Sequence, residues 1–166
     1  MEPQALENAA AKRRLLTRVA TRVLHGYFAL ARGMTMGVRA ACFDAEGRIF
    51  LVRHSYVPGW YLPGGGIERW ETAGEALAKE MREEGNLELG APPRLLHVYF
   101  NRQVSKRDHV LLYRCDDVRQ TAPRSADYEI VEAGFFALDA LPAEATDATR
   151  RRLDEIAGRA PFADIW

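Results

Sequence analysis

Leu16, Ala20, Leu24 and Phe28 recur every four residues, with Leu15, Val19, Val23 and Tyr27 as the adjacent row. That period predicts one amphipathic helix over about residues 5 to 32, with a broad apolar face and a stop at Gly33. The pattern then changes. GVRAACF (37–43) and RIFLVRH (48–54) read as strands, and the Asp-Ala-Glu-Gly link at 44–47 has the chemistry of a tight turn, which predicts an antiparallel hairpin. A loop rich in Pro and Gly runs from Ser55 to Gly66, and a second helix is expected from about Ala73 to Gly85. Thr72, three residues before Glu75, marks its start as a capping box. Strands return at Leu95–Phe100, His109–Cys115 and Ile130–Leu138, and a last helix runs from Glu144 to about Ala157, ended by Gly158 and Pro161. Strands around one central helix, with helices at both ends, predict a mixed α+β sandwich.

The 166 residues suit one hydrophobic core with a short appendage. The expected division is a basic amphipathic helix at 1–33 and a globular domain at 34–166. With 48% hydrophobic and 28% charged residues, the composition argues against disorder. Cys42 and Cys115 lie inside apolar strands, without zinc or disulfide spacing, and read as buried free thiols. No apolar run approaches the ~20 residues of a membrane span, and the N-terminus lacks the compact apolar core of a signal peptide. A reducing cytoplasm is the expected compartment. Formal net charge is zero, so the basic excess of a nucleic-acid binder is missing and no nucleic-acid partner is expected.

Zero is a cancellation. Lys12, Arg13, Arg14, Arg18, Arg22, Arg32 and Arg39 carry seven positive charges over residues 12–39, which hold no acid. Residues 68–88 hold seven acids against three bases, a balance of 3 − 7 = −4. On a helix advancing ~100° per residue with Leu77 at zero, Met81 falls near ~40° and Ala73 near ~−40°, which defines the apolar stripe. Glu84 then falls near ~−20°, Glu80 near ~−60° and Glu83 near ~−120°. Three carboxylates therefore share one flank, and Glu84 lies almost on the buried stripe. A solvated face explains this poorly. Glu80 and Glu84 repel at i,i+4, and acids near a helix C-terminus oppose its dipole. A hard divalent cation such as Mg²⁺ would compensate, and the Gly64-Gly65-Gly66 run can expose backbone groups to metal or phosphate.

These residues resemble the signature of the Nudix hydrolases: Gly, five residues, Glu, seven residues, then Arg-Glu-apolar-x-Glu-Glu-x-Gly-apolar. Gly65, Glu71, Glu80, Met81, Glu83, Glu84 and Leu87 match in register. Lys79 stands where the family has Arg, keeping the charge without the planar fork, and Asn86 stands where it has Gly. The wider resemblance covers about residues 36 to 140, including a Glu-Ile-x-Glu segment before Phe135-Phe136. It implies a Nudix-type α/β/α sandwich with a mixed sheet, here with an extra N-terminal helix. It also implies a pyrophosphohydrolase that uses Mg²⁺ or Mn²⁺ to cleave the diphosphate linkage of a nucleoside diphosphate derivative. Glu80, Glu83 and Glu84 would bind metal with the Gly64 carbonyl, and Glu71 and Lys79 would orient the helix. The catalytic set would be Glu83, Glu84, Glu80 and Lys79, with the base either one of these carboxylates or an acid from outside the box, Glu129 or Glu132, of which Glu129 is the one carried forward. A catalytically weak nucleotide-binding sensor on the same fold is the alternative; loss of acidic box residues would favour it, and none is lost.

Arg53 and Trp60, with Gly65 and Gly66, are candidates for substrate binding: Arg53 and the neighbouring His54 could touch phosphate, and Trp60 or Tyr61 could stack on a base. The N-terminal helix is expected to pack its apolar face on the domain or on a second copy, as in a homodimer, in preference to an anionic membrane surface.

Overall fold

The computed structural model describes Arg18, residues 21–27, Ala31 and residues 33–166. The chain divides into two units, Met1–Met34 and Thr35–Trp166. In the first, residues 21–27 are helical, with Val23, Leu24 and Tyr27 exposed. The rest of the helix expected over 5–32 lies, but for Arg18 and Ala31, outside the described residues.

In the second unit the order is β1 (Thr35–Cys42), β2 (Ile49–His54), α1 (Ala73–Gly85), β3 (Leu87–Glu88), β4 (Arg94–Phe100), β5 (Asp108–Cys115), β6 (Arg119–Gln120), β7 (Ile130–Phe136) and α2 (Asp147–Ile156). One sheet has the order β1-β5-β4, with β1 parallel and β4 antiparallel to β5. β2 pairs antiparallel with β7, and the two-residue strands β3 and β6 pair with each other. Those two short strands carry no readable alternation, and the sequence pattern misses them.

Strand alternation builds the layers. Phe50 and Val52 of β2, with Val38, Ala40 and Cys42 of β1 and Leu111 and Cys115 of β5, pack with Ala76, Leu77 and Met81 of α1. The intervening residues Ile49, Leu51, Ala41, Phe43 and Leu112 pack on the other side with Leu153 of α2. Strands apolar on both faces are covered on both faces, which is the α/β/α sandwich.

The predicted hairpin is corrected by the structure. The turn itself forms: Asp44 accepts from the Gly47 N–H through its carbonyl and from the Glu46 and Arg48 N–H groups through its carboxylate. Beyond a single bridge between Phe43 and Ile49, however, β1 and β2 part into different sheets. The Gly-rich loop takes the place of that pairing. Its Pro63 and Gly65 carbonyls accept from Ala40 and Val38 of β1, while Tyr61 exchanges both backbone hydrogen bonds with Val52 of β2. Each of these backbone groups needs a partner once buried, and the loop supplies it.

Behind α2 lies a buried polar knot. Arg152, fully buried, donates through Nη2 to Glu155 Oε1 at 2.8 Å and lies 4.2 Å from the Tyr99 ring centroid. The Tyr99 hydroxyl donates to Glu155 Oε2 at 2.7 Å, and the Ala163 N–H to Oε1 at 3.1 Å. Removing one partner strands the other charge. Glu155→Leu is therefore expected to cost about 3–5 kcal/mol in urea unfolding, whereas a loss under about 1 kcal/mol would show the pair to be dispensable.

Candidate active site

Helix α1 starts at the capping box read from the sequence: the Thr72 hydroxyl accepts from Glu75 N, and the Glu75 carboxylate accepts from Thr72 N at 2.8 Å. It ends at Asn86, whose φ of 53° and ψ of 38° are the left-handed conformation for which Asn is the natural substitute for Gly. The Asn86 amide also donates to the Ala122 and Pro123 carbonyls, which ties the helix end to the loop before β7.

The three carboxylates emerge as the helical wheel predicts. Glu84 is 4% exposed, Glu80 is half-buried and Glu83 is exposed. Glu84 Oε2 accepts from the Gly64 N–H at 2.7 Å. Gly64 sits at φ 143°, and a Cβ there would overlap the Val38 carbonyl, so only glycine fits. A Cβ on Gly65 would overlap the Glu80 carboxylate. The glycine run thus lets the loop backbone close onto two carboxylates at once. Lys79 Nζ lies 3.0 Å from Glu71 Oε1 and 3.9 Å from Glu80 Oε1, while the Glu71 carboxylate also accepts from Glu68 N.

Glu129 joins them from the segment before β7. The Asp127 carboxylate accepts from the Glu129 and Ile130 N–H groups, both at 2.8 Å, and the Glu129 carbonyl accepts from Ser55 N at the end of β2. Arg124 braces this turn by donating to Asp127 and to the Glu83 carbonyl. Glu80, Glu83, Glu84, Arg124, Asp127 and Glu129 line one cavity of about 340 Å³. Glu132 points elsewhere, in an ion pair 2.7 Å from Arg53.

A larger open cavity of about 830 Å³ is lined by Arg53, His54, Tyr56, Gly59 and Thr146 among others. The two cavities adjoin where His54 Nε2 of the larger stands 3.7 Å from Glu84 Oε1 of the smaller. The structure corrects one substrate-binding candidate, Trp60. It is 5% exposed, packs edge-on against Phe136 and is pinned by backbone hydrogen bonds to Glu144 and Thr146, so its face is closed to a base. Tyr56, 71% exposed at the mouth of the larger cavity, offers the open aromatic surface that sequence reasoning did not find. Gly66 is exposed beside Gly65.

Arg39, Arg124 and Asp127 were also missed. Arg39 donates to the Gly64 carbonyl, the oxygen expected as a metal ligand, and nothing in the local spacing signals this contact across 25 residues. His54 does have a signal: alternation along β2 puts it on the face of Phe50 and Val52, toward α1.

Burial dominates the electrostatics. It pushes the Glu84 carboxyl up to about 7, against the opposing pull of the Gly64 N–H and Arg39, with Glu80 and Glu129 adding to the rise. Glu80 is raised as well, first by burial. His54 is lowered, by burial and then by Arg39, so its contact with Glu84 is that of a neutral imidazole. Crowded carboxylates that resist ionisation fit a divalent cation, which would favour their charged form.

A NUDIX domain model matches residues 33–155, and the chain belongs to the Nudix hydrolase family. It is 34% identical over 85 residues to diphosphoinositol polyphosphate phosphohydrolase 2 of Rattus norvegicus, covering 48% of this chain and 47% of that protein. The Homo sapiens protein of the same name is 33% identical over 85 residues, with the same coverage. The chain thus matches about half the length of these curated relatives. Among solved structures, the MutT NUDIX hydrolase of Burkholderia pseudomallei superposes with a TM-score of 0.62 at 29% identity, covering 74% of this chain and 97% of that one. An ADP-ribose pyrophosphatase from Streptococcus suis gives 0.58 at 26% identity, covering 77% and 94%.

The raised Glu84 carboxyl makes stability pH-dependent. Its folded value, about 7, exceeds the ordinary 4.5, so its contribution is fully present below about pH 4.5 and is lost as pH rises through about 7. In chelator-treated protein, unfolding free energy is expected to fall across that window by up to roughly 3 kcal/mol, and Glu84→Gln should flatten the fall. Equal slopes for the two proteins in urea titrations would contradict the assignment.

Proposed function

We propose that this chain is a Mg²⁺- or Mn²⁺-dependent pyrophosphohydrolase that cleaves the diphosphate linkage of a nucleoside diphosphate derivative. The observation that carries this reading is the convergence of Glu80, Glu83, Glu84 and Glu129 on one cavity that opens beside a larger one able to hold the rest of a substrate. The names of the relatives, a diphosphoinositol polyphosphate phosphohydrolase and an ADP-ribose pyrophosphatase, support phosphoric anhydride cleavage as the shared chemistry.

Glu80, Glu83 and Glu84 would hold the metal. The Gly64 carbonyl has a second lone pair beyond the one Arg39 occupies, so it remains available as a ligand. The bound ion would neutralise the diphosphate and lower the pKa of the attacking water. Glu71 and Lys79 keep the box loop and helix in register, and the missing side chain of Gly65 leaves room for the Glu80 carboxylate. Glu129, held on a braced turn, is the base proposed to take the proton from water. Arg53 and Tyr56 face the space where the leaving group would lie, a guanidinium for phosphate and an open ring for a base.

A panel of nucleoside triphosphates, nucleotide sugars, dinucleotide polyphosphates, ADP-ribose and a diphosphoinositol polyphosphate, each with Mg²⁺ or Mn²⁺ and products identified, tests the reading. Turnover should fall by about 100-fold or more in Glu83→Gln and Glu84→Gln while circular dichroism stays unchanged. Full activity in both variants would remove the site assignment. Saturable binding without turnover across the panel would make the protein a sensor.

A further inference from the structure

His54 stands buried beside the Glu84 carboxylate. It ends β2 at 8% exposure, yet its Nδ1 is a buried polar atom without a hydrogen-bond partner. Nε2 faces Glu84 Oε1 at 3.7 Å, outside hydrogen-bonding range. Oε1 is the oxygen that the Gly64 N–H leaves free, because that group binds Oε2. One donor atom from each of His54, Glu84 and Glu129 lies within 4.8 Å of the others, so the imidazole stands close to the proposed base as well. Bonds of about 2.0–2.2 Å to one ion leave neighbouring donors roughly 3 to 4 Å apart. The His54 and Glu84 atoms already stand at that spacing.

We infer that His54 is a nitrogen ligand of the metal centre, joining Glu84, and that it tilts the site from Mg²⁺ toward Mn²⁺ or another borderline ion. The inference rests on the carboxylate metal site proposed above and extends it by one ligand. Imidazole suits transition ions, whereas Mg²⁺ is held through oxygen and water. Packing supplies the rigidity. The imidazole is flanked by Tyr56 and Tyr61, with ring centroids 5.1 and 5.8 Å away, and β2 is locked to β7 up to the irregularity between Arg53 and His54. The neighbouring Arg39 guanidinium points to the Gly64 carbonyl, which keeps one cation engaged at the rim of the set.

The test is binding of Mn²⁺ and of Mg²⁺ alone to the full chain, by calorimetry, with pulsed electron paramagnetic resonance on the Mn²⁺ form. Wild type should bind Mn²⁺ more tightly than Mg²⁺ and show ¹⁴N modulation from a directly bound imidazole. In His54→Gln the nitrogen signal should vanish and Mn²⁺ affinity should drop about 10-fold or more, with Mg²⁺ affinity changing less. Bound Mn²⁺ without ¹⁴N modulation in wild type would overturn the nitrogen ligand and leave the carboxylate site standing. Mn²⁺ affinity unchanged by Glu83→Gln and Glu84→Gln would instead overturn the carboxylate site itself. If His54→Gln unfolds, as read by circular dichroism, His54→Asn and the wild-type spectrum alone still decide the point.

Discussion

The site depends on one buried carboxylate held by one backbone N–H. Glu84 leaves solvent because α1 packs its apolar stripe on the sheet, and at that position the wheel gives it no other direction. Burying a charge without compensation is prohibitive, so the group is driven toward its neutral form and takes a hydrogen bond from Gly64. That hydrogen bond requires the loop backbone to lie against both β1 and the helix. Gly64 is the residue that permits it, through a positive φ and an absent Cβ. The same loop occupies the edges of β1 and β2, which is why two strands joined by a tight turn do not form a ladder. Helix, loop and strand divergence are one constraint seen from three sides.

The face of the sheets opposite α1 performs a different task. Apolar residues from alternate strand positions meet α2, and the buried Arg152–Glu155–Tyr99 knot fixes the helix to β4. Arg152 and Glu155 on that side pair opposite charges, which favours a fixed geometry. On the α1 side the carboxylates crowd together and His54 stands without a hydrogen bond. The two buried polar clusters thus differ in charge: one pairs opposite charges on α2 and ties them to β4, and the other gathers like charges beside the cavities.

Much of this was legible in the sequence, and the reasons separate the hits from the misses. Periodicity found both helices of the second unit and the five longer strands, because each buries a face long enough to repeat. Glu84 was found because a wheel position depends only on its own helix. Trp60 was misread because its burial follows from a parallel bridge to Ala145, a pairing across 85 residues that no local pattern encodes. Arg39 and Arg124 were missed for the same reason, since each reaches a carbonyl 25 or 41 residues away, whereas Asp127 acts locally, through Arg124 and the Glu129 and Ile130 N–H groups, an Asx-type turn that the sequence could have signalled. The choice between Glu129 and Glu132 needed the structure too, since both sit near the start of β7 and only the Arg53 ion pair shows which one is engaged elsewhere.

The two departures from the box signature fall where the fold can absorb them. Asn86 adopts the left-handed conformation itself and adds side-chain hydrogen bonds to the loop before β7 that a glycine could not make. Lys79 reaches Glu71 with a single ammonium instead of a planar fork, so its hold on the box loop is less directional. Glu80 keeps its room beside the loop because Gly65 lacks the Cβ that would overlap its carboxylate. The substitution is tolerable at position 79 because Lys79 keeps its charge within reach of both Glu71, at 3.0 Å, and Glu80, at 3.9 Å.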